Sequence, residues 1–310
     1  MKLRELGEDR LIARLIRGLP LGEEVRVGAG DDCAVIGAPR AARWELLKTD
    51  AVVEGVHFEP GEKMERVGWK ALCRALSDIA AMGGVPSHAL ITLAVPAECE
   101  MARLEALYRG LRKAARRFGV SIVGGETSRS PGPLFVSITL TGWVERARCI
   151  LRSGGRVGDG VYVTGRLGGS REGRHLDFVP RVAEARWLTA HAKLHAMMDV
   201  SDGLAADLQH ILDESRVGAI LEADAIPLSR EAERAADGRT PLEHALGDGE
   251  DFELLFTVSP ADGERLLANP PCAVRLSHIG DIVAEAGCAV RNSDGKLTSL
   301  KSLGWKHGFE

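Results

Sequence analysis

The order of secondary-structure patterns along the chain is the feature that most constrains its fold. Short apolar strands and amphipathic helices are interspersed through both halves of the 310 residues, without a strict alternation of one strand and one helix. This order favours mixed sheets with helices packed on them, and we therefore predict an α+β fold. The loop-like segment LRSGGRVGDG follows the first half, and it predicts two domains, residues 1–147 and 148–310.

Composition and charge exclude several classes of protein. The hydrophobic fraction of 45% and the charged fraction of 27% are those of a globular protein with a sizeable core, and the net charge of −4 offers no basic face for nucleic acid. The N-terminal segment MKLRELGEDRL is too charged for a signal peptide, and no apolar run has the length of a membrane helix. The six cysteines are scattered without a C-x-x-C pair, which argues against structural zinc and disulfides. We expect a cytoplasmic protein.

Six segments place carboxylates beside glycine or in an apolar setting. They are GAGDDCAV, KTDAVVEGVHF, ALSDIAAMGG, VGGETS, DVSDGL and GDGEDFE. Glycine lets the backbone approach a ligand closely, and carboxylate oxygens are suited to magnesium ions that bridge phosphates. Any one of these segments is also compatible with an ordinary acidic turn.

Asp78 is the most informative of these acids, because it lies in a predicted helix over residues 65–82 among small apolar residues. A carboxylate in such a setting needs an ion pair or a cation. An intrahelical pair with Arg74, one turn earlier, is the alternative to a ligand site.

The DVSDGL segment has a structural and a functional interpretation. Ser201 or Asp202 can cap the helix that begins near Gly203, whereas Asp199 ends a strand, where an extra charge has no structural use. Helix N-termini and hydroxyl groups also favour phosphate binding.

Motifs of other nucleotide enzymes are missing from the sequence. It contains no G-x-x-x-x-G-K-[ST] loop, no H-R-D or D-F-G motif and no G-x-S-x-G turn. GRLGGS, at 165–170, is glycine-rich but lacks the G-x-G-x-x-G spacing. The segments with dispersed carboxylates are therefore the best candidates for a phosphate site.

Taken in order, these segments resemble the thiamine-monophosphate kinase family of the aminoimidazole ribonucleotide synthetase superfamily. GDDCAV, TDAVVEGVHF, LSDIAAMGG, GGETS, RSGGRVGDGVYVTG, DVSDGLAADLQHIL and GDGEDFELLFTV match successive family blocks, and the similarity runs from GEDRLIARL to GWKHG. The resemblance implies two α+β domains, an N-terminal one for ATP, metal and dimerisation and a C-terminal one that completes the phosphate and substrate site. It also implies a homodimer with a shared barrel-like sheet.

The reaction implied by the resemblance is transfer of the ATP γ-phosphoryl group to thiamine monophosphate, with Mg²⁺ as cofactor. The implied metal ligands are Asp32, Thr49, Asp50, Asp78, Glu126, Asp199 and Asp202. Gly125, Glu126, Arg152 and Ser201 would bind ATP, and His57, Glu250 and Trp305 would line the thiamine pocket. Among these residues, Asp78, Asp199 and Arg152 are the implied catalytic groups.

Three features depart from the family pattern. Glu126 stands where aspartate is usual, Lys48 stands where a small or hydroxyl residue is common, and the segment between GRLGGS and DVSDGL is short. The Lys48 ammonium would either replace a metal ion electrostatically or point to solvent. Two other functions remain open, another ATP-dependent enzyme of the superfamily and a catalytically silent binding protein. Residues 1–30 lack the cysteine that selenophosphate synthesis would need.

Overall fold

The computed structural model describes residues 8–270 and 274–300. The elements of the first half are α1 (Glu8–Leu15), β1 (Val25–Val27), β2 (Ala34–Ile36), β3 (Arg43–Val53), α2 (Met64–Ala81), β4 (Val85–Pro96), α3 (Met101–Phe118), β5 (Ser121–Ser130) and β6 (Phe135–Glu145). Those of the second half are β7 (Gly160–Thr164), α4 (Val182–His191), β8 (Leu194–Asp199), α5 (Leu204–Ser215), β9 (Gly218–Glu222), α6 (Arg230–Arg234), α7 (Pro241–Gly247), β10 (Leu254–Val258), α8 (Pro260–Ala268), β11 (Leu276–Val283), β12 (Gly287–Arg291) and β13 (Leu297–Ser299).

The strands form two mixed sheets, one from each half of the chain. The first has six strands in the order β1-β2-β3-β6-β4-β5, with β4 and β5 parallel, and the second has seven in the order β13-β12-β9-β11-β7-β10-β8, with β12 and β9 parallel. Helices pack on both sheets, as the buried residues of α2 and α5 show. The predicted α+β class with mixed sheets is confirmed.

Strand β3 differs from the sequence interpretation in one respect. By their composition, the apolar runs at 44–47 and 51–56 predict two short strands. In the structure Arg43–Val53 is one continuous strand and pairs with β6 over its whole length. The polar residues Lys48, Thr49 and Asp50 therefore lie in the middle of a strand. Because successive side chains of a strand point to opposite faces, Lys48 and Asp50 share the face that carries buried Leu46 and Val52.

Helix α2 connects the two halves of the chain. It is almost wholly buried, and it packs against β3, α3 and α4 as well as β8 of the second sheet. The hydroxyl of Ser77 on α2 donates a hydrogen bond to the carboxylate of Asp199 at the end of β8. Arg186 on α4 pairs with Glu145 at the end of β6. The domain boundary at 147/148 itself stays a prediction. In the described part of the chain no helix has the length and apolar character needed to cross a membrane.

The crossing of α2 and α3 depends on two glycines. A Cβ added at Gly68 would lie 2.0 Å from the carbonyl oxygen of Leu107, and one at Gly110 would lie 1.9 Å from that of Glu65. Both distances are far below van der Waals contact, so the helix backbones touch at these positions. Any larger residue must separate the helices, one of which carries Asp78.

We predict that Gly68→Ala lowers the melting temperature. Overpacking costs about 1–3 kcal/mol, more than the roughly 1 kcal/mol that alanine gains in helix propensity. Each net kcal/mol corresponds to a fall of about 2–4 °C in a protein of this size. Gly132→Ala is the control, because no atom lies within 4 Å of its added Cβ. Thermal unfolding followed by circular dichroism measures both, and an unchanged or higher melting temperature for Gly68→Ala would contradict the prediction.

Candidate active site

Three buried aspartates come together where α2 meets the second sheet. Asp32 follows β1 in the GAGDD turn, Asp78 lies in the last turn of α2 and Asp199 ends β8. Each offers a carboxylate oxygen that lies within 4.8 Å of the oxygens offered by the other two. We call this group the aspartate cluster. Sequence positions up to 167 residues apart are thereby brought to one point.

Burial and neighbouring carboxylates raise the pKa of two members of this cluster, Asp199 and Asp78. Burial, followed by the charge of Asp32, raises the pKa of Asp199 to about 7, although the Ser77 hydroxyl donates to Asp199 over 2.5 Å and lowers it. Burial and three neighbouring aspartates raise the pKa of Asp78 well above its usual range. Beside the cluster, burial and Asp32 raise the pKa of Asp31 to about 6. Such a group of acids is typical of a site that binds cations.

Two of the three cluster aspartates, Asp78 and Asp32, have a basic partner. Lys48 Nζ lies 2.7 Å from Asp78 Oδ1, and Arg152 Nη2 donates to Asp32 Oδ1 over 2.6 Å. The intrahelical pair of Arg74 with Asp78 that the sequence suggested is not what forms. Arg74 Nε instead donates to Asp50 Oδ2 over 3.0 Å. Burial raises the pKa of Asp50, but Arg74 and then Lys48 outweigh that effect and hold it below the usual value.

A polar cleft of about 280 Å³ opens beside the aspartate cluster. Asp78 belongs to both features. The residues that line the cleft are Lys48, Asp50, Val56, His57, Arg74, Asp78, Arg152, Arg171, Ser201, Asp202, Asp248, Glu250 and Phe252. Its lining thus mixes four basic side chains with five acidic ones, which suits a ligand that carries both phosphates and cations.

In the cleft lining, Glu250 is held by a buried lysine. Lys70 is fully buried, and its Nζ lies 2.6 Å from Glu250 Oε1, 2.7 Å from His175 Nδ1 and 2.6 Å from the His57 carbonyl oxygen. His175 Nδ1 also lies 3.0 Å from Glu250 Oε2. Burial raises the pKa of Glu250, but His175, Lys70 and Arg74 together lower it to about 2. Burial lowers the pKa of Lys70 to about 8 despite its pairing with Glu250.

The DVSDGL segment is held in place by an acid further along the chain. Helix α5 begins at Leu204, and its N-cap Gly203 makes no side-chain capping bond. The N–H groups of Asp202 and Gly203 both donate to Asp207 Oδ2, over 3.0 and 3.1 Å. Asp207 thus holds the N–H groups that precede α5, and both Ser201 and Asp202 line the cleft. The capping role suggested for Ser201 or Asp202 stays a prediction. Burial raises the pKa of Asp207 well above its usual range.

Most of the predicted site residues are gathered at this place. The cluster or the cleft lining contains Asp32, Asp50, His57, Asp78, Arg152, Asp199, Ser201, Asp202 and Glu250. Their particular roles as metal, nucleotide or substrate ligands stay predictions.

Three predicted residues lie elsewhere on the first sheet. Thr49 points to the face opposite Lys48 and Asp50, where its hydroxyl lies 3.3 Å from that of Ser137 on β6. Gly125 and Glu126 are exposed on β5, the edge strand, and the register places Glu126 three strands from Ala51 of β3. At the usual strand spacing this is about 14 Å along the sheet. Neither lines the cleft. Trp305 lies outside the described residues.

Other acids in the carboxylate segments have structural partners. Glu54 accepts from Arg103 and from the Leu134 N–H. Asp251 accepts from the Gly168 N–H and pairs with Arg174, while Asp248 accepts from the Gly169 N–H. Two N–H groups of the GRLGGS loop, those of Gly168 and Gly169, are thus used by the protein's own carboxylates, which argues against a phosphate-binding role for that loop.

Sequence reasoning missed Lys70 and His175, which both contact Glu250. Lys70, Arg74 and Asp78 are spaced four residues apart and form one polar stripe along the buried helix α2. That spacing is visible in the sequence and signals a site better than Asp78 alone. No comparable signal marks His175, because it reaches Glu250 from a short 3₁₀ turn far along the chain.

Both halves of the chain match the family models of a known class of proteins. Residues 30–144 match the family model of the AIR synthase related protein, N-terminal domain, and residues 156–291 match that of the AIR synthase related protein, C-terminal domain. The predicted aminoimidazole ribonucleotide synthetase-like fold is confirmed.

Within that class, individual relatives identify the family of this chain more narrowly. A thiamine-monophosphate kinase of Rhodopirellula baltica is 42% identical over 92% of both chains, and one of Aquifex aeolicus is 36% identical over 99% of this chain and all of its own length. The solved structure of AaThiL complexed with AMPPCP and TMP is 35% identical, covers 99% of both chains and superposes with a TM-score of 0.86. The chain belongs to the thiamine-monophosphate kinase family, as its sequence blocks predicted.

The raised pKa of Asp199 predicts how the stability of the metal-free protein changes with pH. An unfolded aspartate ionises near pH 3.8, whereas folded Asp199 ionises near pH 7. The folded state therefore binds the extra proton between these values, so this contribution to stability is present at low pH and is lost as the pH rises through 7.

We expect the melting temperature in EDTA to fall as the pH rises from about 4.5 to 7.5, roughly the range between the two pKa values. Asp199→Asn should make this dependence of the melting temperature on pH less steep. The control is Asp213→Asn, which changes an exposed aspartate on α5. Differential scanning calorimetry across the pH range provides the comparison. Equal slopes for wild type and Asp199→Asn would show that Asp199 does not titrate in this way.

Proposed function

We propose that the chain transfers the γ-phosphoryl group of ATP to the phosphate of thiamine monophosphate, giving thiamine diphosphate and ADP. The observation that carries this proposal is the aspartate cluster at the wall of a cleft lined by both basic and acidic residues. The reaction follows from the family, whose member AaThiL is known complexed with AMPPCP and TMP.

The residues of the cluster fit magnesium. The three cluster carboxylates supply hard oxygen ligands close enough to share an ion. Asp32 Oδ2 is buried without a hydrogen-bond partner, which is costly unless a cation binds there. We propose that Asp32, Asp78 and Asp199 hold Mg²⁺, with Asp50 and Asp202 on the cleft side. When bound, Mg²⁺ would neutralise phosphate charge and align the reacting groups.

The basic residues of the cleft would position the phosphates. Lys48, Arg74, Arg152 and Arg171 all reach its lining. Arg152 is oriented by Asp32, so its guanidinium is fixed before a ligand binds. A planar guanidinium matches phosphate oxygens in pairs, and we assign Arg152 to the phosphates of ATP together with Ser201.

No catalytic base is needed for this transfer. The phosphate of thiamine monophosphate is ionised at neutral pH, so one of its oxygens attacks the γ-phosphorus directly. The bond between the γ-phosphorus and the β–γ bridging oxygen breaks, and ADP leaves with that electron pair. Catalysis then consists of alignment and charge neutralisation.

The thiamine end of the cleft is assigned to His57, Glu250 and the apolar residues Val56 and Phe252. Both carboxylate oxygens of Glu250 already have partners in Lys70 and His175. Glu250 would therefore act as a fixed hydrogen-bond acceptor, because Lys70 offsets the charge that it would present to the thiazolium.

Purified protein should form thiamine diphosphate from thiamine monophosphate, ATP and Mg²⁺. Asp78→Asn should lower kcat by more than about 100-fold, because loss of a direct metal ligand should cost more than loss of a residue that only supports a ligand. Chromatography of thiamine phosphates measures both. Asp213→Asn, far along α5, is the control and should keep wild-type activity. No product from wild type, with thiamine monophosphate still bound in calorimetry, would favour a silent binding protein. Product formation by Asp78→Asn at the wild-type rate would remove Asp78 from the mechanism.

We also propose a homodimer that pairs the first sheets of two chains. Strand β5 is the last strand of its sheet, and its side chains are largely exposed. Val123 on β5 is 59% exposed, and Leu90 on neighbouring β4 is 45% exposed. A long edge strand with exposed apolar residues is normally covered by a partner. Gly125 and Glu126 belong to the same strand, which links their predicted ligand roles to this interface.

Wild-type protein should elute with about twice the chain mass of 33.3 kDa in light scattering coupled to gel filtration. Val123→Lys should shift the equilibrium to monomers, because it places a charge in the proposed interface. Val157→Lys is a matched control, since Val157 is 60% exposed outside the first sheet. A monomeric wild type, or equal dissociation in the two variants, would contradict the proposal.

A further inference from the structure

We propose that Lys48 is a built-in cation of the phosphate site, which occupies a place on Asp78 that a divalent metal ion would otherwise take. The inference rests on the proposed function, since it concerns the number of metal ions at the proposed magnesium site. It assigns Lys48 as a positioning residue for the phosphoryl transfer.

The position of Lys48 is determined by β3 and by α2. The strand directs Lys48 to the same face as Asp50, and this face packs against the helix that carries Asp78. Lys48 Nζ lies 2.7 Å from Asp78 Oδ1, and the Lys48 side chain is 24% exposed and lines the cleft. The ammonium thus contacts the aspartate cluster on one side and the ligand space on the other.

An ammonium at this distance competes with a metal for the same oxygen. Mg²⁺ binds carboxylate oxygen at about 2.0–2.1 Å. An ion on Asp78 Oδ1 would lie less than about 5 Å from Lys48 Nζ, given the ammonium contact of 2.7 Å. Two cations at that separation repel one another. Asp78 therefore has one carboxylate oxygen left for a metal, where a free aspartate would have two.

The other cluster aspartates show where metal binding remains possible. Asp199 receives its side-chain hydrogen bond from the neutral Ser77 hydroxyl. Asp32 binds Arg152 through Oδ1, and its Oδ2 has no hydrogen-bond partner. The available oxygens thus lie on Asp32, on Asp199 and on the second oxygen of Asp78, and Lys48 occupies only Asp78 Oδ1. The Lys48 ammonium is part of the protein, so its share of the charge neutralisation does not depend on the Mg²⁺ concentration.

The proposal is tested by counting metal ions in Lys48→Thr, which removes the ammonium and supplies a hydroxyl. The probe is Mn²⁺ in the presence of AMPPCP, with free Mn²⁺ measured by electron paramagnetic resonance. We expect Lys48→Thr to bind about one more Mn²⁺ per chain than wild type. The matched control is Lys48→Arg, which keeps the positive charge and should bind the wild-type number. An unchanged or smaller number in Lys48→Thr would overturn the proposal.

Thermal unfolding gives a second measurement on the same variants. In EDTA, Lys48→Thr should unfold at a lower temperature than wild type, because the aspartate cluster has lost a counter-charge. Saturating Mg²⁺ should then raise the melting temperature of Lys48→Thr by more than that of wild type. An equal rise in the two proteins would count against the proposal. If Lys48→Thr does not fold in either buffer, Lys48→Met replaces it in both experiments, because methionine keeps most of the side-chain length.

Neither measurement requires turnover. Absence of thiamine diphosphate from wild type would reject the proposed function, while the number of Mn²⁺ ions would still decide the role of Lys48.

Discussion

The close approach of Asp32, Asp78 and Asp199 is the constraint on which the rest of the site depends. Two ionised carboxylates 4.8 Å apart repel each other by about 3.5 kcal/mol at an effective dielectric constant near 20. The fold limits this repulsion in two ways. Lys48 and Arg152 neutralise Asp78 and Asp32, and the raised pKa of Asp199 allows it to stay protonated near neutral pH in the metal-free protein. Such an arrangement is unfavourable for stability alone, which is why it points to a cation site.

Helix α2 is the element that makes the cluster possible. Its two faces have different tasks, since Gly68 allows close contact with α3 while Lys70, Arg74 and Asp78 face the site. Lys70 fixes Glu250, Arg74 fixes Asp50 and Asp78 joins the cluster. One buried helix therefore holds two acids of the cleft lining and supplies a third. A helix so rich in buried charge is stable only because each charge meets a partner from another segment.

The sequence allowed the fold class, the family and most of the site to be predicted, because ordered motifs and periodicity are local properties. What it missed depends on contacts between distant segments. Arg74 and Asp78 have the spacing of an intrahelical pair, yet Lys48 from β3 competes successfully for Asp78. Thr49 adjoins Asp50 in sequence but points to the opposite face, which follows only once β3 is known to be continuous. The N–H groups that precede α5 are held by Asp207 from within the helix, and the DVSDG turn supplies Ser201 and Asp202 to the cleft lining.

The GDGEDFE segment shows how the site stores local strain. Glu250 and Phe252 have φ values of 56° and 50°, a left-handed conformation that is unfavourable for residues other than glycine. The Glu250 N–H donates to the Ser201 carbonyl oxygen and the Phe252 N–H to that of Val200, both over 2.7 Å. These bonds join the GDGEDFE segment to the DVSDGL segment. The strained backbone therefore places Glu250 toward Lys70 and brings Ser201 and Asp202 to the same cleft, so the two segments work as one unit although 50 residues separate Asp199 from Gly249. Replacing either strained residue would be expected to disturb the Glu250 contacts and the Ser201 and Asp202 part of the cleft lining together.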